Sequence, residues 1–114
     1  MEVDTPIINE ELVQETKTKM LKETEIYALS DFFKIFGDST RLQILWALEN
    51  NALCVGDLCN VIGITKSAAS HQLKILKANK LVKYQKHGKN VVYELDDEHV
   101  KQIIIYAREH LEEK

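Results

Sequence analysis

The sequence predicts a mostly α domain with one small β-hairpin. Three observations lead there. The 114 residues include one Pro and four Gly, too few for a turn-rich β fold or a disordered chain. Apolar residues recur at three- and four-residue spacing through most of the chain, which is the period of a buried helix face. That period shortens to two over LVKYQKHGKNVVYEL, with Gly88 where a tight turn belongs.

The elements follow in order. Residues 9–23 form a helix with Asn9 as N-cap and acids in its first turn; its apolar face is thin, Leu12, Val13, Met20 and Leu21. Residues 25–36 carry Ile26, Leu29, Phe32, Phe33 and Phe36, a core-helix spacing ended by Gly37. Asp38 or Ser39 caps the next helix, through Leu42, Ile44, Leu45, Trp46 and Leu48, and Asn50-Asn51 marks its end. Residues 55–62 form a short helix stopped by Gly63. Thr65 caps another over 66–79, with Ala69, Leu73 and Leu76 inward. Helix, tight turn, helix, then a two-stranded ribbon is a winged helix-turn-helix. A last helix opens at Asp96 or Asp97 and runs to the end. The order is α-α-α-α-α-β-β-α, divided into a helical arm at 1–24 and a winged helix-turn-helix domain at 25–114.

Size and composition exclude several classes. The chain suits one compact domain or half of a symmetric dimer, and is too short for a two-domain enzyme. No stretch approaches the roughly 20 apolar residues of a membrane span. The N-terminus, MEVDTPIINEE, is acidic and lacks the layout of a secretory signal. Two Cys build no disulfide framework, so a cytoplasmic protein with reduced thiols is expected.

Net charge is −3, but it is unevenly distributed. Residues 66–90 hold seven Lys and no acid, while the flanking segments are acidic. A basic segment inside an acidic chain suggests a polyanion-binding face. It coincides with the second helix of the helix-turn-helix and with the wing. That helix enters the major groove with its N-terminal residues against base edges; here they are Lys66, Ser67, Ala68, Ser70, His71 and Gln72, followed by Lys74. Ser bonds base edges or phosphates, Gln pairs with an adenine edge, and Lys attracts phosphate without regard to sequence. At the wing tip Lys86, His87 and Lys89 reach the neighbouring minor groove or backbone. His71 has a second reading, a partly buried side chain with a satisfied hydrogen bond.

Four residues stand out in the terminal helix: Asp97, His99, His110 and Glu113. His99 and His110 share a face but lie about 16.5 Å apart along the axis, too far for one metal ion. His110 and Glu113, at i,i+3, face together. Asp97 and His99, at i,i+2, converge only if Asp97 sits at the cap, where the backbone is not yet helical. Each end of the helix therefore offers half a ligand set. Antiparallel pairing with a two-fold mate joins the halves into two sites, with Val100, Ile103, Ile104, Tyr106, Ala107 and Leu111 supplying the seam. Two imidazoles and two carboxylates suit tetrahedral Zn²⁺, with Co²⁺ as a mimic. The plain alternative is a solvated acidic helix end with two surface His. A metal hydrolase is disfavoured, because four protein ligands leave no open position.

These residues resemble the ArsR/SmtB family of metal-responsive winged-helix repressors, in its zinc-sensing branch. The resemblance covers about residues 25–114. It is carried by Phe36-Gly37-Asp38-Ser39-Thr40-Arg41-Leu42, Ala52-Leu53-Cys54-Val55-Gly56-Asp57-Leu58 and Ser67-Ala68-Ala69-Ser70-His71-Gln72-Leu73, then by the wing and by D-x-H-x10-H-x2-E. It implies a zinc site at the last four positions shared across a homodimer. It also implies an apo dimer on double-stranded operator DNA, and release on metal binding to derepress efflux or storage genes. Family members that sense cadmium, lead or arsenic use a Cys-x-Cys pair with further Cys in the N-terminal arm. Here the pair reads Cys54-Val55-Gly56 and no Cys precedes it, so a thiolate-rich site is not expected. Cys54 and Cys59 point about 140° apart on a helix and read as small buried hydrophobes. The alternative function is a regulator of the same family that answers Co²⁺, Ni²⁺ or a non-metal signal.

Overall fold

The structure, a computed structural model, describes residues 4–113. The elements are α1 (Glu10–Lys19), α2 (Glu23–Phe36), α3 (Ser39–Asn50), β1 (Leu53–Cys54), α4 (Val55–Ile62), α5 (Lys66–Ala78), β2 (Val82–His87), β3 (Asn90–Leu95) and α6 (Glu98–Glu112). No described helix is long and apolar enough to cross a membrane. The chain separates into two compact units, divided between Asp31 and Phe32 inside α2; the sequence reading divides it at 24–25.

In the first unit the Asn9 side chain accepts from the Leu12 N–H at 3.0 Å and caps α1 as expected. The helix is shorter than 9–23 and gives way to extended backbone at Met20 (φ −67°, ψ 147°). Thr16 and Thr18 lie in its final turns, and their hydroxyls bond back to the carbonyls of Leu12 and Glu15 at 2.7 and 2.6 Å. Such side-chain bonds compete with helix continuation. No residue of α1 is buried.

The second unit holds the core. It is built from Ile44, Leu45 and Leu48 of α3, Leu58 of α4, Leu73 and Leu76 of α5, Leu81 and Val82 at the start of the wing, and Val100 and Ile104 of α6. Phe32, Ile35 and Phe36 of α2 pack against it. Of the two candidates Asp38, not Ser39, caps α3, and Thr65 caps α5 as expected. Asp38 accepts from the Arg41 N–H at 2.9 Å and Thr65 from the Ala68 N–H at 3.1 Å. Gly63 ends α4 with φ 82°, a left-handed conformation that glycine takes without strain.

The expected hairpin forms, in register from Val82↔Leu95 out to His87↔Asn90. Gly88 has φ 63° while Lys89 has no positive φ, the pattern of a two-residue type II′ turn. The sequence did not announce β1. Leu53 and Cys54 pair antiparallel with Tyr93 and Val92, giving a three-stranded sheet in the order β1-β3-β2. Two residues are too few to show an alternation, and their partners lie far along the chain.

Helix α5 ends in a Schellman cap. The Leu81 N–H bonds the Leu76 carbonyl at 2.9 Å and the Lys80 N–H bonds the Lys77 carbonyl at 3.0 Å. Leu76 and Leu81, which flank the cap, are both fully buried. The left-handed position, normally Gly or Asn, is held by Lys80 at φ 59°. Lys80→Gly should therefore stabilise the fold by about 0.5–1 kcal/mol, the relief of the left-handed penalty less the extra chain entropy of glycine. A raised urea midpoint at unchanged m-value is the expected readout; a lowered midpoint would contradict it.

Candidate functional site

Helix α5 presents most of the expected DNA-facing residues together. Lys66, Ser67, Ala68, Ser70, His71 and Lys74 are all exposed, and the first turn carries no acid. At about 100° per residue, Ser67, Ser70, His71 and Lys74 fall in one arc of roughly 100° opposite Ala69, Leu73 and Leu76. His71 is thus on the open face rather than tucked inward. Gln72 is placed differently. It lies on the flank of the buried face, half-buried, and its Oε1 is buried with no hydrogen-bond partner. Lys86, His87 and Lys89 surround Gly88 at the wing tip and are exposed.

The second constellation is on α6. Asp97 is its N-cap, with φ −157° and ψ 179°. One carboxylate oxygen, Oδ1, accepts from the Val100 N–H at 3.1 Å, while Oδ2 lies 3.6 Å from His99 Nδ1. The extended backbone at the cap thus brings together two side chains that a regular helix would turn apart. The Val100 N–H holds the Asp97 carboxyl below its ordinary value, opposed in part by desolvation and helped by the neighbouring His99. The charged cap is therefore present at neutral pH and is lost only as pH falls through that lowered pKa. At the far end His110 is exposed in the last turn, and Glu113 is the C-cap, its N–H bonding the carbonyls of Glu109 and His110 at 3.1 and 3.3 Å. Among the described residues no three His, Cys, Asp or Glu side chains of one chain converge. Cys54 and Cys59 are half-buried.

The donor set fits a divalent ion at the Asp97–His99 end. Two ligands of a tetrahedral ion at about 2.0–2.1 Å stand roughly 3.3 Å apart, close to the observed 3.6 Å between Oδ2 and Nδ1.

The seam needs correcting. Val100 and Ile104, expected between subunits, are 4% and 3% exposed and belong to this chain's own core. Tyr106 and Leu111 remain open, 61% and 75% exposed. The apolar positions of α6 split between two faces, which a list of hydrophobes cannot reveal. Of the expected seam residues, Ile103 and Tyr106 fall in one stripe with His99 and His110, at spacings of four, three and four. That is the a/d rhythm of a helix–helix seam, with a histidine at each end. Beside it an open apolar groove of about 1100 Å³ is lined by Phe33, Phe36, Leu42, Trp46, Ile103 and Leu111 among others.

Comparison with known proteins agrees with this architecture. Residues 38–84, from the cap of α3 into β2, match the family described as bacterial regulatory protein, arsR family. A transcriptional repressor SmtB homolog from Synechocystis sp. is 36% identical over 110 residues, covering 96% of this chain and 83% of that one. A cadmium resistance transcriptional regulatory protein CadC homolog from Staphylococcus aureus is 39% identical over 107 residues, covering 93% and 88%. The solution structure of the homodimeric winged helix-turn-helix DNA-binding domain of Mb0332 from Mycobacterium bovis, a possible ArsR-family regulator, superposes with a TM-score of 0.69. It is 26% identical, over 82% of this chain and 94% of that one. With the winged helix, its basic face and these relatives in hand, the chain belongs to the ArsR family of DNA-binding transcriptional regulators and is not an enzyme.

Proposed function

We propose that the protein is a zinc-responsive transcriptional repressor. Its metal-free homodimer holds operator DNA through one recognition helix (α5) and one wing per half-site, and Zn²⁺ shared between the two α6 helices releases it. The observation that carries this reading is the Asp97 cap, which sets Oδ2 beside His99 Nδ1 and leaves His110 and Glu113 at the opposite end of the same helix. A second copy running antiparallel along the His99–Ile103–Tyr106–His110 stripe covers exposed apolar surface. It brings His110 and Glu113 of the partner subunit to Asp97 and His99. Bound Zn²⁺ supplies a four-coordinate crosslink between the two helix ends. His99 and His110 bind only when neutral, so affinity falls in acid. Operator DNA and metal must weaken each other by the same factor.

Imidazole and carboxylate donors favour zinc over the thiolate-seeking ions. The name of the CadC homolog raises cadmium, and Cys54-Val55-Gly56 argues against it, since the second thiol is replaced by a residue with no side chain. The same N/O donors suit Co²⁺ and Ni²⁺, which is the second reading of the signal; a non-metal effector is the third.

Fluorescence anisotropy on a duplex selected from a random pool, at fixed salt, tests the proposal. Zinc should weaken wild-type binding by about 5–150-fold, the usual range of allosteric coupling. It should leave His110→Ala bound. Release of both proteins, or of neither, would rule out the shared site as the regulatory input. Repeating the titration with Co²⁺, Ni²⁺ and Cd²⁺ ranks the metals.

A further inference from the structure

Lys77, Tyr84 and Tyr93 join the recognition helix to the root of the wing. The sheet register sets Leu53, Tyr93 and Tyr84 side by side across β1, β3 and β2. One pair further out, at Cys54↔Val92, β1 ends. From Lys86↔Val91 to Gly88 the wing is a bare two-stranded ribbon. Such a ribbon is marginally stable alone, yet this one carries Lys86, His87 and Lys89. The aromatic pair sits one pair inward of the end of β1, where the sheet is still three-stranded, with ring centroids 5.7 Å apart at 45°. Over the outer ring, that of Tyr84, stands the Nζ of Lys77 from the last turn of α5, 4.1 Å from the centroid.

Side chains alternate along β2, so Val82, Tyr84 and Lys86 share one face. Val82 is buried in the core and Tyr84 meets Lys77, so this face is turned towards the recognition helix. Lys83 is on the other face, 3.6 Å from Glu94. The two lysines differ in consequence. Lys83 faces a compensating charge, whereas Lys77 is positioned by a π face that leaves its charge in place.

We propose that Lys77, Tyr84 and Tyr93 form a brace that sets the angle of the wing against the recognition helix, so that groove and flank of the operator are engaged together. They are positioning residues, and none of them reads a base. The inference rests on the winged helix as the DNA-binding element and is independent of the metal.

The test uses the full chain on the duplex selected from the random pool, with anisotropy and hydroxyl-radical footprinting. Tyr84→Phe keeps the ring and should bind within about twofold of wild type; Lys77→Arg keeps the cation and should do the same. Tyr84→Leu and Lys77→Met should each bind about three- to tenfold more weakly, and the double variant no more weakly than the worse single one. Protection should fade at the flanks where the wing lies and persist at the centre. Wild-type affinity for Tyr84→Leu overturns the brace. Losses that multiply in the double variant overturn it too, since Lys77 is then a phosphate contact in its own right. So does fading of centre and flank together. Lys77 is exposed, so Lys77→Met preserves the fold, and its footprint decides the matter if Tyr84→Leu does not fold.

Discussion

A mixed dimer of one His99→Ala and one His110→Ala subunit should bind a single Zn²⁺ tightly, although neither parent homodimer does. In the proposed dimer each site takes Asp97 and His99 from one chain and His110 and Glu113 from the other. Each parent homodimer lacks one imidazole in both sites. The mixed dimer concentrates both lesions in one site and leaves the other whole. The parents should lose more than the roughly 10–100-fold in affinity that removing an outer-shell partner costs. The mixed dimer should recover wild-type affinity at one ion per dimer in competition with a chromogenic chelator. It is isolated through two different tags. Tight binding by a parent would show that the imidazole it lacks is not a ligand. A mixed dimer without a tight site would break the antiparallel pairing of helix ends.

Leu76→Ala should cost about 2–5 kcal/mol, the range for emptying a well-packed leucine site. Leu76 is fully buried, and its carbonyl accepts the Leu81 N–H that closes the Schellman cap. The substitution opens a cavity under the recognition helix and removes apolar packing beside its C-terminal cap. Against the total stability of an ordinary domain, about 5–15 kcal/mol, that is a large share. The thermal midpoint should fall by about 10–20 °C. Lys74→Ala, on the exposed face of the same helix, should stay within about 0.5 kcal/mol of wild type. A Leu76→Ala loss below about 1 kcal/mol would mean that the interior is looser than its burial indicates.

Local signals were legible wherever one residue type answers one backbone need. Asn9, Asp38, Thr65 and Asp97 cap the helices they were expected to cap, because each offers a short acceptor to an orphan N–H. Gly63 and Gly88 mark left-handed positions. Ala69, Leu73 and Leu76 point inward as their spacing requires. What escaped depends on tertiary partners. β1 exists only because Tyr93 and Val92 arrive beside it. Val100 and Ile104 turn inward to join the cluster of Ile44, Leu45, Leu48 and their neighbours, residues distant in the chain. Gln72 has the chemistry of a base reader, but its rotation about the helix axis places its oxygen against the interior. Lys80 takes a conformation that its residue type gives no reason to expect.

Of the candidate metal ligands, the two at the start of α6 were legible as a conditional geometry. Their approach required a cap at Asp97, and the backbone there is extended. The two at the far end were legible only as spacing, since Glu113 lies just past the last helical residue.

Asp97 performs two tasks with two oxygens, one for the Val100 N–H and one beside His99. Among the described residues Glu113 bonds through its backbone N–H. The two ends of the helix are therefore unequally free to drift. Asp97→Ala should fray the start of α6 as well as remove a proposed ligand. Substitutions at 110 and 113 leave the backbone bonds of the C-cap in place. In the proposed site, ion preference should therefore be changed with less cost to folding at that end than at 97.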